Sequence, residues 1–167
     1  MDQYSIASQA NKDYLQTVHI SDFNISLTEE SVDLFIDVFS KPPWNDIFES
    51  KSGVIDFFNA FTGLPNFKGY QLTDNNKVIG ISIGFIKPWL KNGELRYEYF
   101  IDQLCIDHTL QGKGLGKYFM AEIGKRLKDE KISDIILNTE RSSGAYHFYN
   151  KIGFSEMKEY GFLLKEL

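Results

Sequence analysis

Gln111-Gly112-Lys113-Gly114-Leu115-Gly116 separates the apolar stretch Leu104-Cys105-Ile106 from a segment whose Leu115, Tyr118, Phe119, Ile123 and Leu127 recur at helical spacing. No other short run restricts the fold as much. Three glycines at alternate positions let a strand turn tightly into a helix and let the backbone approach a ligand closely. The first amides of that helix have no intrahelical acceptor and carry the positive end of its dipole. Strand, turn and helix in this order therefore make a site for an anion. Lys113 and Lys117 add charge to it, and Gln111 adds a side-chain amide donor.

Two well-known phosphate motifs do not match. A Walker loop needs Gly-Lys followed by Ser or Thr, but Gly116-Lys117 is followed by Tyr118, and Gln111 stands where the first glycine belongs. The dinucleotide fingerprint needs a third glycine three residues after the second, where Lys117 or Phe119 stands instead. Nucleoside triphosphate hydrolysis and dinucleotide binding are both disfavoured.

Around this unit the periodicity changes twice. Residues 1–18 show little pattern and read as a loose lead-in, followed by a strand over His19–Leu27. Thr28, with Glu29 and Glu30 behind it, starts a helix that ends at Lys41-Pro42-Pro43, and a second helix runs from about Ser50 to Phe61. Phe67–Thr73 and Lys77–Ile86 flank an Asp74-Asn75-Asn76 turn as a hairpin, and Lys91-Asn92-Gly93 turns into a strand over Leu95–Ile106. Then follow a helix over Gly114–Lys128, a strand over Asp134–Asn138, a helix over Ser142–Lys151, and short strands near Phe154–Lys158 and Phe162–Lys165. The expected architecture is α/β of the α+β type in one domain over residues 1–167: a mixed, mostly antiparallel sheet of six to seven strands flanked by about four helices.

The glycine run satisfies the pattern Gln/Arg-x-x-Gly-x-Gly/Ala through Gln111, Gly114 and Gly116, directly after Leu104-Cys105-Ile106-Asp107. Downstream stands Ala145-x-x-x-Tyr149-x-Lys151-x-Gly153-Phe154. With these two motifs in this order, the chain resembles the GNAT superfamily of N-acetyltransferases, and Pro42-Pro43-Trp44-Asn45 is similar to a segment of one bacterial branch.

The resemblance implies acetyl-CoA as co-substrate, its pyrophosphate over Gln111, Gly112, Lys113, Gly114, Leu115, Gly116 and Lys117. It places the pantetheine arm along backbone groups of Leu104, Cys105 and Ile106, in a gap opened toward the strand ending at Asn138 by a bulge. It puts Tyr149 beside the sulfur as the group that protonates the departing thiolate, and Ser142 where the superfamily often has asparagine. Gln103 occupies the place of a commonly found glutamate, which leaves Glu98 and Asp102 as candidate general bases for an alkyl ammonium whose pKa is about 10.4. Packing alone would also account for Tyr149, and an ordinary strand-end role for the two carboxylates.

Cys105 reads as a small hydrophobe in preference to a covalent nucleophile. The scattered His19, His108 and His147 show no metal spacing, so no metal is expected, although His147 is placed for a proton relay near Tyr149. Trp44, Asn45 and Asp46 are the candidates for the acceptor side. A formal net charge of -5 argues against nucleic acid and favours a small cationic amine acceptor. A protein or peptide acceptor and a non-catalytic CoA-binding regulator are the competing readings, and a homodimer is left open. With one cysteine, no apolar leader and no apolar run of membrane-spanning length, the expected setting is the cytoplasm, without membrane or disulfides.

Overall fold

In a computed structural model, residues 14–167 are described. Of the loose lead-in expected over 1–18, residues 1–13 lie outside the described part. The remainder is ordered: Tyr14–Thr17 form a turn closed by the Thr17 amide on the Tyr14 carbonyl (3.1 Å), and buried Val18 opens the sheet.

The strands are β1 (Val18–Asp22), β2 (Phe67–Asp74), β3 (Lys77–Lys91), β4 (Glu94–Ile106) and β5 (Asp134–Leu137). The helices are α1 (Thr28–Phe39), α2 (Lys51–Thr62), α3 (Leu115–Asp129) and α4 (Gly144–Lys151). Spatial order follows chain order from β1 to β5. All neighbours are antiparallel except β4 and β5, which are parallel because α3 crosses over between them. Asn75 and Asn76, with φ of 48° and 64°, make the β2–β3 turn, and Asn92 and Gly93, at 53° and 83°, make the β3–β4 turn. Paired positive φ values suit the twist of two-residue hairpins.

Successive strand residues point to opposite faces, and the sheet feeds two cores. On one face Val32, Phe35 and Val38 of α1 and Val54 and Phe58 of α2 pack on Ile81, Ile83 and Cys105. On the other, Leu115, Phe119, Ile123 and Leu127 of α3 cover Tyr70, Leu72, Tyr99 and Ile101. Gln71 is a buried polar residue in the first layer. It accepts from the Asn24 amide and donates to Ser31 Oγ, both at 2.8 Å, so both ends of the buried amide have a partner.

Two sequence expectations are corrected. The first strand ends at Asp22, not Leu27: Asn24 Oδ1 accepts from the Ser26 amide at 3.0 Å and starts a 3-10 turn over Ile25–Leu27. The sheet has five strands among the described residues, not six or seven. Beyond Phe154 the chain leaves α4 without pairing to β5, and Phe162, Leu163 and Leu164 are 82%, 94% and 80% exposed. An apolar run has the propensity for a strand, but a strand exists only where a neighbouring edge takes its hydrogen bonds.

Candidate functional site

The site begins as a defect in the sheet. β5 pairs with β4 over four positions only, from Glu98 opposite Asp134 to Ile101 opposite Leu137. β4 continues to Ile106 with β3 alone. Where the β4–β5 ladder stops, the β3–β4 register slips: Ile83 faces Gln103 and Gly84 faces Ile101, so Asp102 is the extra residue of a bulge. Gly84 makes this approach possible, since a Cβ there would stand 1.9 Å from the Phe100 carbonyl oxygen. The expected bulge is therefore present, and Leu104, Cys105 and Ile106 lie beyond it, paired with β3 on one side and with no strand on the β5 side. Asn138, just past the last paired residue of β5, is exposed.

The glycine run stands at the same end of β4. Gly112 and Gly114 have φ of 75° and 86°, the left-handed region that favours glycine, and space around both is open. Gly114 is the N-cap of α3 and offers no side chain to its amides. Gly116 serves a different end: a Cβ would come within 3.1 Å of the Phe148 ring, so its absence lets α4 close on α3. Gln111 is committed within the fold, its Nε2 donating to the Ile106 carbonyl at 3.0 Å, and Lys113 Nζ reaches the Thr109 carbonyl at 3.1 Å. Leu115 is buried in the core, whereas Lys117 is exposed beside a groove of about 250 Å³ formed with Met120, Ala121, Ile135, Ile152 and Phe154.

The turn between β4 and this run is pinned from two sides. Partial burial alone would raise the Asp107 carboxyl, but bonds from the Thr109 amide (2.9 Å) and hydroxyl (2.7 Å) hold it below the ordinary value. His108 Nδ1 lies 2.8 Å from Asp37 Oδ2 and 3.0 Å from Lys41 Nζ, so the stem of the glycine run is joined to the end of α1. Sequence spacing gives no sign of this contact.

Tyr149 is buried on α4, edge-on to Phe154 at 5.3 Å between ring centroids. Burial, with the nearby Cys105 as the second cause, pushes its phenol well above the usual range. The phenol holds its proton more firmly than an exposed tyrosine does. Ser142 is exposed and donates to Glu140 Oε1 at 2.5 Å. Its neighbour Ser143 caps α4 instead, accepting from the Tyr146 amide at 3.2 Å.

The two candidate bases differ in position. Asp102 is exposed on the bulge and accepts from Gln103 Nε2 at 3.1 Å. Glu98 is buried and bound by Lys87 at 2.8 Å, three residues before the opening. His147 is exposed. Burial also pushes the Cys105 thiol upward, and a thiolate is the reactive species. In the native fold at about pH 8 it should therefore react with a disulfide reagent at least ~100-fold more slowly than in denaturant. Equal rates would show that the strand opens freely.

Trp44 leans on Phe39 at 5.8 Å, Asn45 has φ of 54°, and the Asp46 amide returns to the Phe39 carbonyl at 2.9 Å, so the three share one exposed loop after α1. A cavity of about 560 Å³ opens between α1 and the β2–β3 turn, lined by Glu30, Asp33, Asp37, Asn76 and Lys77 among others. It touches neither that loop nor Tyr149. Among the described residues no cluster of three or more metal-ligating side chains forms, and no helix is long and apolar enough to cross a membrane.

Residues 68–162 match a family model described as an acetyltransferase (GNAT) domain. The chain is 28% identical over 103 residues to the ribosomal protein bS18-alanine N-acetyltransferase of Haemophilus influenzae, a match covering 59% of this chain and 65% of that protein's length. A solved structure described as a possible acetyltransferase from Clostridium difficile superposes with a TM-score of 0.76 at 16% identity, covering 90% of this chain and 98% of the other. AAC(6')-Iy in complex with the bisubstrate analog CoA-S-monomethyl-acetylneamine superposes with a TM-score of 0.69 at 13% identity, covering 90% and 99%. At such identities the structural likeness concerns the fold.

Proposed function

Since this chain belongs to the GNAT acetyltransferase family, we propose that it transfers an acetyl group from acetyl-CoA to a primary amine of a small cationic acceptor, both being bound together. The observation that carries the reading is the coincidence of a parted β4–β5 seam, an uncapped helix start with open left-handed glycines, and a buried tyrosine. A pyrophosphate fits the amides of α3, because Gly112 and Gly114 leave empty the space that side chains would fill. When bound, acetyl-CoA supplies an acetyl thioester.

The chain supplies position and protons. Amides of Gly112 to Lys117 hold the diphosphate, with Lys113 and Lys117 adding charge. The open edge of Leu104 to Ile106 offers backbone groups to the amide-bearing arm, with Asn138 and Ser142 on the facing side. A backbone amide near Leu104 or Cys105 polarises the thioester carbonyl. The amine gives up a proton to form its new bond to carbon. Asp102 is the better placed of the two carboxylates to receive it, since Glu98 is engaged by Lys87. Tyr149 delivers a proton to the sulfur as the carbon–sulfur bond breaks.

Support for a cationic acceptor is the net charge of -5, with Trp44, Asn45 and Asp46 lining its approach. A protein N-terminus is the second reading, favoured by the name of the Haemophilus relative. A cytoplasmic setting fits a chain whose only cysteine is a buried thiol.

The test is calorimetric titration with acetyl-CoA, together with thiol release across aminoglycosides, polyamines, amino-acid amines and an alanine-initiated peptide. Turnover confined to the peptide would move the reading to proteins. Binding without any turnover would favour a regulatory module, and no binding would end the proposal. Tyr149→Phe should slow thiol release about 100-fold while leaving acetyl-CoA affinity within about threefold. Unchanged release would remove the tyrosine from the chemistry.

A further inference from the structure

α4 has only eight residues, Gly144–Lys151, a length at which an isolated helix does not persist in water. It must be held from outside. Ser143 caps its start, and Phe154 returns at its end, donating its amide to the Tyr149 carbonyl at 3.0 Å while its ring stands against the Tyr149 ring. The returning segment is itself fastened two residues later. Glu156 accepts from Arg141 Nε at 2.8 Å, lies 2.5 Å from an Arg141 terminal nitrogen, and accepts the Tyr146 hydroxyl at 3.1 Å on its other oxygen.

Arg141 precedes α4, Tyr146 lies in its first turns, and Glu156 follows it, so one carboxylate ties the helix entrance to its exit. The Glu156 side chain is mostly covered, 24% exposed, while Arg141 is 77% exposed. Hydrogen bonds from Arg141, then from Tyr146, hold the Glu156 carboxyl below the ordinary value, so it is charged at neutral pH.

We propose that Glu156 is a positioning residue for Tyr149: by binding Arg141 and Tyr146 it holds Phe154 against the tyrosine ring and fixes the hydroxyl toward the seam. This rests on the role given to Tyr149 above. Glu156 touches no reacting atom in this account. It acts through the wall that Phe154 makes.

The test separates position from general stability by alkaline titration of tyrosine absorbance at ~295 nm, where an exposed phenol ionises at pH ~10 and a buried one later. In Glu156→Ala, Tyr149 loses its cover, and the rise between roughly pH 9 and 11 should grow by about one tyrosine over wild type. That increment should vanish in Glu156→Ala combined with Tyr149→Phe. Thiol release with the best amine of the panel should fall about tenfold through kcat, with KM for acetyl-CoA little changed, and Arg141→Lys should keep most of the rate. Glu156→Gln, which keeps an acceptor for Tyr146, guards against a misfolded alanine variant and should shift both readings the same way by less.

No extra tyrosine in either variant, or an increment that survives Tyr149→Phe, would overturn the proposal. So would an exposed Tyr149 with undiminished release. Should wild type fail to bind acetyl-CoA, the reading of the site falls, and the titration still decides whether Glu156 holds Tyr149 in place.

Discussion

Gly114→Glu is expected to abolish measurable acetyl-CoA binding, with affinity down about 1,000-fold or more, while the far-ultraviolet spectrum stays that of the wild type. Two effects add. A side chain at φ of 86° sits in the left-handed region, which costs about 1–2 kcal/mol for most residues. The new carboxylate also stands among the helix-start amides where the pyrophosphate is proposed to sit. Like charges near 4 Å at an effective dielectric constant of about 20 repel by roughly 4 kcal/mol, and each 1.4 kcal/mol is a factor of ten. Gly114→Ala separates the two, because open space around the position leaves only the backbone strain. It should weaken binding by about 30-fold at most. Calorimetry on the three proteins checks the series. Wild-type affinity in Gly114→Glu would mean that the diphosphate lies elsewhere.

Gly84→Ala is expected to destabilise the protein by about 3 kcal/mol or more, as large as single changes commonly become. The added methyl would sit 1.9 Å from the Phe100 carbonyl oxygen, with the Ile101 Cα 3.2 Å away, and these are backbone atoms that no rotamer change can move aside. Relief requires the two strands to separate at the bulge. Urea unfolding should show a lower midpoint. Gly124→Ala is the control, since nothing lies within 4 Å of a Cβ at that helical position. It should stabilise by about 0.5–1 kcal/mol through helix propensity. A small loss in Gly84→Ala would mean that β3 and β4 stand farther apart than the register implies.

Much of the arrangement could be read locally. The helix start at Gly114 declares itself because turn, dipole and spacing are properties of neighbouring residues. Ser50 and the Asn-rich turn act through contacts no more than three residues long, and they were legible for the same reason. The bulge was expected in kind but not in place, although an isolated glycine, Gly84, inside an apolar strand was a usable sign. Nothing local distinguishes Glu98 from Asp102. Their difference comes from Lys87 across the β3–β4 hairpin and from where β5 stops pairing. Arg141 and Glu156 lie fifteen residues apart with a helix between them, so their meeting depends on the path the chain takes around α4. Phe162-Leu163-Leu164 shows willingness to pair without showing a partner, so the sequence alone suggests terminal strands that the fold does not form.

The short β4–β5 ladder also sets where this molecule should give way first. Four residue pairs hold β5, against the twelve that join β3 to β4. Pulled or warmed, the protein should open like a book with a worn hinge, the leaf carrying β5 and α4 lifting before the meander frays. A bound molecule spanning that seam would stand in for the missing rungs, making its ligand a mechanical part of the fold as well as the material it works on.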